Sequence, residues 1–219
     1  MNSSRTGLRR GENSSPSYPD CKPQLILDIG GVLATNISPL FWELVAEDAG
    51  VASDVIYRLY KAEVSERLWT GEVTEEQFWS WLGRAAGLER QQGQAYLSAS
   101  LAPLPALQHL KRWSEIANIH LLSNHLISWV EPLLKEVRPY ITSATISSLV
   151  GCRKPDRGIF DCAAGKLRGR APTLFIDDQS SNLDAAAETA GWSTLLADPE
   201  GHWITAADRW LREASEPTI

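Results

Sequence analysis

The residues best suited to chemistry in this sequence are acidic side chains that follow apolar runs. The stretch LILDIGGVLATN, residues 25 to 36, carries an apolar run into Asp28, and a later run, FIDD, ends in Asp177 and Asp178. A carboxylate such as Asp28 can attack an electrophilic centre. Adjacent acidic residues at a strand end repel each other unless a cation lies between them. The sequence therefore predicts a nucleophile beside a metal site, and oxygen ligands of this kind suit Mg²⁺.

Two further segments supply groups that can hold an anion. The run IHLLSNH contains Ser123 and Asn124, and Lys154 lies in GCRKPDRGIF just ahead of a predicted helix. The Ser123 hydroxyl and the amides of the turn at Gly31 can donate hydrogen bonds to phosphate oxygens, and Lys154 can add fixed positive charge. Each has an ordinary explanation on its own, since Ser-Asn pairs often cap helices and a lone lysine is usually solvated.

These residues meet if the apolar runs are strands of one parallel sheet. Four runs lack polar–apolar alternation, which is typical of strands covered on both faces. They span 24–29, 119–122, 173–176 and 194–197, and helical patterns cover 105–116, 128–137, 156–166, 181–190 and 205–211. Strands alternating with helices predict an α/β fold with a doubly wound parallel sheet. Ligands bind beyond the carboxyl ends of the strands in such sheets.

A long helical insert interrupts this alternation. Its pattern predicts four helices, over 39–49, 53 to about 69, 74–86 and a fourth through 98. Thr74 and Gln77 have the spacing of a capping box at the start of the third helix. We therefore predict a sheet core of residues 22–37 and 104–219, with an all-helical cap at 38–103.

Length, charge and cysteine content limit the class of protein. The 219 residues suffice for one domain with a sizeable insertion, and the net charge of −6 comes without a basic block that could bind nucleic acid. Residues 1–21 are expected to be a disordered tail, without the apolar stretch of a secretory signal. No apolar run approaches the roughly 20 residues of a membrane helix. Three cysteines without metal-type spacing favour reduced thiols. We expect a cytoplasmic enzyme whose partner is a small molecule, and the oligomeric state stays open.

Four segments resemble, in order, the motifs of the haloacid dehalogenase (HAD)-like hydrolases: DIGGVL, LLSNH, RKPD and FIDDQSSN. A helical cap inserted after the first motif is also this family's pattern, and the resemblance covers nearly everything after residue 21. It implies a Rossmann-like core and a Mg²⁺-dependent phosphatase that works through an aspartyl phosphate. It also implies roles for particular residues. Asp28 is the nucleophile; Asp28, the Gly30 carbonyl and Asp178, with help from Asp177, hold the metal; Gly31, Ser123, Asn124 and Lys154 bind the phosphate.

One position departs from the pattern of the family's phosphatases. Most of them have Asp-x-Asp in the first motif, where the second Asp protonates the leaving alcohol and later activates water, but here that position is Gly30. General acid–base help of this kind is typically worth about 10² to 10⁴ in rate. The first interpretation is a phosphatase whose leaving group needs little protonation, such as an anomeric sugar phosphate or an acyl phosphate. A proton donor could also come from His125, the cap or the substrate.

Two other interpretations stay open. Dehalogenases of this superfamily lack the second Asp because a halide leaves without protonation, but they use no metal, which leaves Asp177 and Asp178 unexplained. The third interpretation is a protein without catalysis that keeps the phosphate site for sensing or for binding a partner.

The cap and the residue after Asn124 carry three smaller predictions. Four of the nine tryptophans fall in the insert: Trp42, Trp69, Trp79 and Trp81. Tryptophan chiefly contributes apolar area, so we expect them in the core of the cap. The loop 69–72, between two predicted helices, is the stretch expected to face substrate. His125 is expected at the surface or at a helix start, because the sequence shows no partner for it.

Overall fold

The carboxyl ends of the three central strands lie side by side in the sheet of this protein. A computed structural model describes residues 22–169 and 171–215, so the tail expected at 1–21 lies outside the described residues. Within them, five parallel strands have the order β3-β2-β1-β4-β5. The strands are β1 (Gln24–Leu27), β2 (Asn118–Ser123), β3 (Ser143–Ile146), β4 (Thr173–Asp177) and β5 (Ser193–Leu196). Leu27 of β1 is paired with Leu121 on one side and with Ile176 on the other.

Five helices form the insert, within residues 38–103. They are α1 (Leu40–Ala49), α2 (Ser53–Glu63), α3 (Ser65–Trp69), α4 (Glu75–Ala86) and α5 (Arg90–Ser100). The second predicted helix is in fact two, because the backbone leaves helical geometry at Val64, where φ is −130°. The capping box at α4 is confirmed: the Gln77 N–H donates to Thr74 Oγ1 at 3.2 Å, and the Thr74 N–H donates to Gln77 Oε1 at 2.9 Å. These helices pack around an apolar cluster that is distinct from the clusters covering the sheet, and Leu126 and Trp129, which follow β2, join it.

Two chain segments that run side by side join this helical insert to the sheet. The Leu104 N–H donates to the Leu33 carbonyl and the Thr35 N–H donates to the Ala102 carbonyl, both at 2.9 Å. The Thr35 hydroxyl also donates to the Ser100 carbonyl at 2.6 Å. The insert therefore leaves and rejoins the core next to the turn that follows Asp28.

The remaining helices cover both faces of the sheet. They are α6 (Leu110–Ile116), α7 (Ile127–Leu134), α8 (Ser147–Val150), α9 (Arg157–Ala164), α10 (Ser180–Ala190) and α11 (His202–Ser215). Leu25 and Leu27 of β1 face the cluster that includes α6, α7 and α11. Ile26 faces the opposite cluster, to which α9 and α10 contribute. This alternation confirms the predicted doubly wound α/β fold.

The edge strands are where the sequence-based expectation is wrong. β3 was not predicted, because its four residues SATI form no apolar run. β5 was predicted to be covered on both faces, but it is mostly exposed, with Leu196 at 49%. An edge strand has a neighbour on one side only, so an unbroken apolar run is not required of it.

Two findings bear on the class of protein. No helix within the described residues is long and apolar enough to cross a membrane. Cys152 and Cys162 are free cysteines, and Cys21 lies outside the described part of the chain.

Candidate active site

A buried lysine lies between two carboxylates at the carboxyl edge of the sheet. Lys154 Nζ is 2.7 Å from Asp28 Oδ2 and 2.5 Å from Asp177 Oδ2, and the lysine is 1% exposed. Burial by itself would lower the pKa of Lys154, but the charges of Asp28 and Asp177 outweigh it and raise that pKa. The side chain is therefore a fixed ammonium group beside the predicted nucleophile.

The backbone of Lys154 is held by Asn124. The Lys154 N–H donates to Asn124 Oδ1 at 2.7 Å, and Asn124 Nδ2 donates back to the Lys154 carbonyl at 2.9 Å. Both polar atoms of this amide are thus engaged by one residue. Ser123, the last residue of β2, is buried and lines the same cavity as Asp28. The structure brings Ser123, Asn124 and Lys154 together, as the sequence predicts, and gives Asn124 the task of positioning the lysine.

The two adjacent aspartates have different surroundings. Asp177 is fully buried and accepts hydrogen bonds from Asn182 Nδ2 at 3.0 and 3.1 Å and from the Gln179 N–H at 2.9 Å, in addition to Lys154. Burial and the charge of Asp28 nevertheless raise the pKa of Asp177. Asp178 Oδ2 accepts from Asn36 Nδ2 at 2.8 Å. Its Oδ1 atom is buried and has no hydrogen-bond partner among the described residues, and burial raises the pKa of this carboxyl.

These oxygens fit a magnesium ion. Asp28, Asp177 and Asp178 each offer a carboxylate oxygen, and these atoms lie within 4.8 Å of one another. A buried oxygen without a partner, such as Asp178 Oδ1, costs free energy unless a cation or donor meets it. The Gly30 carbonyl also accepts no hydrogen bond from the described residues. Since Asp177 is already satisfied, the ligands that fit Mg²⁺ are Asp28, Asp178 and the Gly30 carbonyl.

Asn36 lies beside Gly30, so a side chain at position 30 would make Asn36 shift. A Cβ atom at position 30 would lie 2.6 Å from Asn36 Oδ1. At Gly31, where φ is +69°, a Cβ atom would lie 2.2 Å from Asp178 Oδ2. The turn after Asp28 therefore leaves room for Asn36 and Asp178 to meet. Sequence reasoning missed Asn36, because nothing in its spacing shows that the chain returns to Gly30.

A cavity of about 350 Å³ opens above these residues, between core and cap. Asp28, Ser123 and Lys154 lie at its base. Its side is an aromatic wall, formed by Trp42, Tyr57, Tyr60, Trp69, Phe78 and Trp129. Five of the predicted site residues line this partly open cavity, which is large enough for a small molecule: Asp28, Gly30, Ser123, Asn124 and Lys154. Gly31, Asp177 and Asp178 are not among its lining residues.

Of the two places expected for His125, the surface is wrong, and the residue lies two positions before the start of α7. It is 5% exposed and lines the cavity, and its ring lies edge-on to Trp69, with 5.6 Å between the ring centroids. Burial lowers the pKa of His125 to about 4, and a backbone contact at Leu126 offsets this only in part. The imidazole is neutral near pH 7, so it does not supply the proton that the missing Asp would give.

The tryptophans of the insert divide into two groups. Trp79 and Trp81 are buried in the core of the cap, as predicted, and Trp42 is buried there too but also lines the cavity. Trp69, the last residue of α3, is half-buried against the same cluster and lines the cavity. Glu72, in the loop 69–72, is not among the cavity-lining residues and lies 3.7 Å from Arg67.

Solved structures with similar folds are HAD-family proteins. A HAD-family enzyme from Bacteroides thetaiotaomicron matches with a TM-score of 0.74 and 22% identity, over 85% of this chain and 98% of that one. Its complex with magnesium and inorganic phosphate matches with a TM-score of 0.72, 22% identity and coverage of 84% and 98%. A predicted HAD-like hydrolase from Porphyromonas gingivalis has a TM-score of 0.72 and 23% identity, over 88% and 99%. The chain has the fold of the HAD-like hydrolases.

Dehalogenases share this fold at lower similarity. L-2-haloacid dehalogenase from Xanthobacter autotrophicus matches with a TM-score of 0.53 and 19% identity, over 78% of this chain and 75% of that one. No family model and no curated protein matches the chain in sequence. Because one fold supports several chemistries, the activity has to be argued from the site.

Proposed function

We propose that the protein is a Mg²⁺-dependent phosphatase that hydrolyses a small phosphate monoester, such as a sugar phosphate, through an aspartyl phosphate at Asp28. The observation that carries the proposal is the unpartnered Asp178 Oδ1, buried beside Asp28 and Lys154. A dehalogenase needs no cation at this position, whereas a phosphatase needs one. The phosphate-bound magnesium complex of the Bacteroides protein supports the same chemistry.

Each residue at the base of the cavity has a defined task. An oxygen of Asp28 attacks phosphorus in line, the bond from phosphorus to the leaving oxygen breaks, and the leaving group takes the electron pair. Lys154 and the Ser123 hydroxyl stabilise charge on the phosphoryl oxygens. Asp28, Asp178 and the Gly30 carbonyl would hold Mg²⁺, which would supply further positive charge against the repulsion between carboxylate and phosphate. Water then hydrolyses the acyl phosphate, which restores Asp28 and releases inorganic phosphate.

Gly30 limits the kind of ester. No carboxyl at position 30 protonates the leaving oxygen, and the neutral His125 does not replace it. A leaving group that departs as a weakly basic anion needs no such donor. Anomeric sugar phosphates, acyl phosphates and aryl phosphates have leaving groups of this type, whereas simple alkyl phosphates do not.

The test is phosphate release from sugar, acyl, aryl and nucleotide phosphates, with Mg²⁺ and with EDTA. We expect turnover that needs the metal and vanishes in Asp28→Asn. Asp178→Asn should raise the Mg²⁺ concentration for half-maximal activity by about tenfold or more. Asp54→Asn is the matched control, because Asp54 is an exposed aspartate of the cap.

Three outcomes would contradict the proposal. An unchanged Mg²⁺ titration in Asp178→Asn would show that the metal ligands are wrong. Release of halide from 2-haloacids in EDTA, without phosphatase activity, would identify a dehalogenase. Mg²⁺-dependent binding of phosphate without turnover of any ester would indicate a protein that only senses phosphate or binds a partner.

A further inference from the structure

The aromatic wall is continuous from the cap to the core. Within the cap, Trp42 and Tyr60 have ring centroids 4.5 Å apart, and Tyr60 is 6.4 Å from Phe78. Phe78 in turn lies 5.2 Å from Trp129 of the core, which meets Trp69 edge-on at 5.8 Å. A ring entering this space would find faces and edges on several sides, and such contacts stabilise aromatic pairs beyond the area they bury.

Part of the polar lining of the cavity is already engaged in hydrogen bonds. The amides of Asn36, Asn124 and Asn182 line the cavity, but they donate to Asp178, to the Lys154 carbonyl and to Asp177. Ser38, Tyr57, Lys61 and Gln179 also line the cavity and make no side-chain hydrogen bond within the described residues. The rings of the aromatic wall offer apolar faces, against which a flat ring loses less hydration than a hydroxyl-rich molecule does.

Three buried polar atoms of cavity-lining residues lack hydrogen-bond partners within the described residues: His125 Nδ1, Ser65 Oγ and Trp129 Nε1. Burial raises the pKa of the Tyr60 phenol to about 12, and the nearby Ser65 hydroxyl offsets this only in part. The three residues with unpartnered atoms belong to the same cavity, so one polar substituent on a bound ring could reach this side of it.

We infer that the leaving group is aromatic, so that the substrate is the phosphate monoester of a phenol whose ring lies against the aromatic wall. This inference rests on the proposed phosphatase function and makes it more specific. Two independent features support it. A phenolate is a weakly basic leaving group, which suits a site without a carboxyl at position 30. Its ring is planar, which suits the aromatic wall. In the reaction, the bond from Asp28 to phosphorus forms and the aryl oxygen–phosphorus bond breaks. The phenolate takes the electron pair and is protonated by solvent.

The first experiment separates the ring from the acidity of its phenol. It compares kcat/KM for phenyl phosphate and hexafluoroisopropyl phosphate, because the second alcohol is about as acidic as phenol but has no ring. We expect phenyl phosphate to be preferred by about tenfold or more, from burial of the ring. Equal values for the two esters, with turnover still dependent on Mg²⁺ and Asp28, would overturn the inference and leave the phosphatase proposal intact.

Variants of the wall test where the ring is bound. Trp69→Leu should remove most of the preference for phenyl phosphate, and Trp69→Phe should restore part of it. Trp81→Leu is the control, because Trp81 lies in the same cap cluster but does not line the cavity. Thermal unfolding of each variant shows whether it is folded, and Tyr57→Leu, at a site already 37% exposed, gives a second wall variant if Trp69→Leu unfolds. Equal loss of the preference in the wall and control variants would contradict a bound ring.

A binding measurement decides the inference even without turnover. Benzylphosphonate and cyclohexylmethylphosphonate resist hydrolysis and differ in the aromaticity of their ring. Calorimetry in Mg²⁺ should show tighter binding of benzylphosphonate to the wild type, and Trp69→Leu should reduce the difference. Equal affinities would overturn the inference. If benzylphosphonate is preferred but no ester is hydrolysed, the phosphatase proposal fails while recognition of an aromatic ring stands.

Discussion

At the scale of single residues, Asn36 connects the turn after Asp28 to the metal ligands. Its Oδ1 atom fills the space where a Cβ atom at position 30 would lie, and its Nδ2 atom donates to Asp178. A carboxyl at position 30 would need the place that Asn36 now occupies. A side chain at position 30 would therefore make the Asn36 amide shift and would disturb its hydrogen bond to Asp178.

This arrangement predicts the outcome of restoring the acid. Gly30→Asp alone should gain little, because its Cβ atom forces Asn36 away from Asp178. The double variant Gly30→Asp/Asn36→Ala should accelerate hydrolysis of alkyl phosphates, which leave poorly, by about 10² or more, and aryl phosphates much less. Asn36→Ala alone is the control, and kcat for both classes of ester is the measurement. Equal gains for alkyl and aryl esters would refute this explanation of Gly30.

The predictability of the site differs from residue to residue. Asp28, Ser123 and Asp177 lie at the carboxyl ends of three neighbouring strands, so strand order alone brings them together. Asn36 and Ser65 reach the cavity through the path of the chain after Gly31 and through the packing of the cap, neither of which has a local signal. His125 is buried by rings of both cap and core, and that contact cannot be inferred from its neighbours in the sequence.

At the scale of elements, the loop after α3 touches the core at Gly71. With φ at +78°, a Cβ atom on Gly71 would lie 2.2 Å from the Ser148 carbonyl oxygen in α8. The contact keeps the cap close to the core beside Trp69. The helices of the cap were predictable from their periodicity and capping box, but this contact depends on tertiary packing and was not.

Two glycines of the cap give a matched test of that contact. Gly71→Ala should lower kcat/KM by about ten- to a hundredfold, because it displaces the loop that positions Trp69. Gly87→Ala is the control: φ is +71° there too, but a Cβ atom would meet nothing within 4 Å. Both variants share the cost of a left-handed alanine, about 1 kcal/mol, so only Gly71→Ala should lose activity. Similar kinetics in the two would show that the contact with α8 is unimportant.

At the scale of the whole molecule, two buried histidines link stability to pH. His120 is 3% exposed, with Nε2 2.9 Å from Gln24 Oε1 and Nδ1 2.7 Å from Ser143 Oγ, which satisfies a neutral ring that donates from Nε2. Burial, and then the charges of Arg168 and Lys166, lower its pKa to about 4. Burial also lowers the pKa of His125 to about 4. Both rings therefore stay neutral in the folded protein at pH values well below 6.5, the ordinary pKa of histidine.

Acid should therefore destabilise the fold between about pH 6.5 and pH 4. In this window the unfolded chain binds protons at His120 and His125 that the folded chain does not, so stability falls with pH, by up to about 1.4 kcal/mol per pH unit for each histidine. The raised pKa values of Asp177 and Asp178 act in the opposite direction, because the folded protein holds those protons more tightly. Urea unfolding at several pH values measures the slope. His120→Gln or His125→Gln should reduce the slope of the unfolding free energy against pH by the contribution of one proton, up to about 1.4 kcal/mol per pH unit. His202→Gln, at an exposed histidine, should leave the slope unchanged. Parallel curves for all three variants would mean that neither buried ring controls the acid sensitivity.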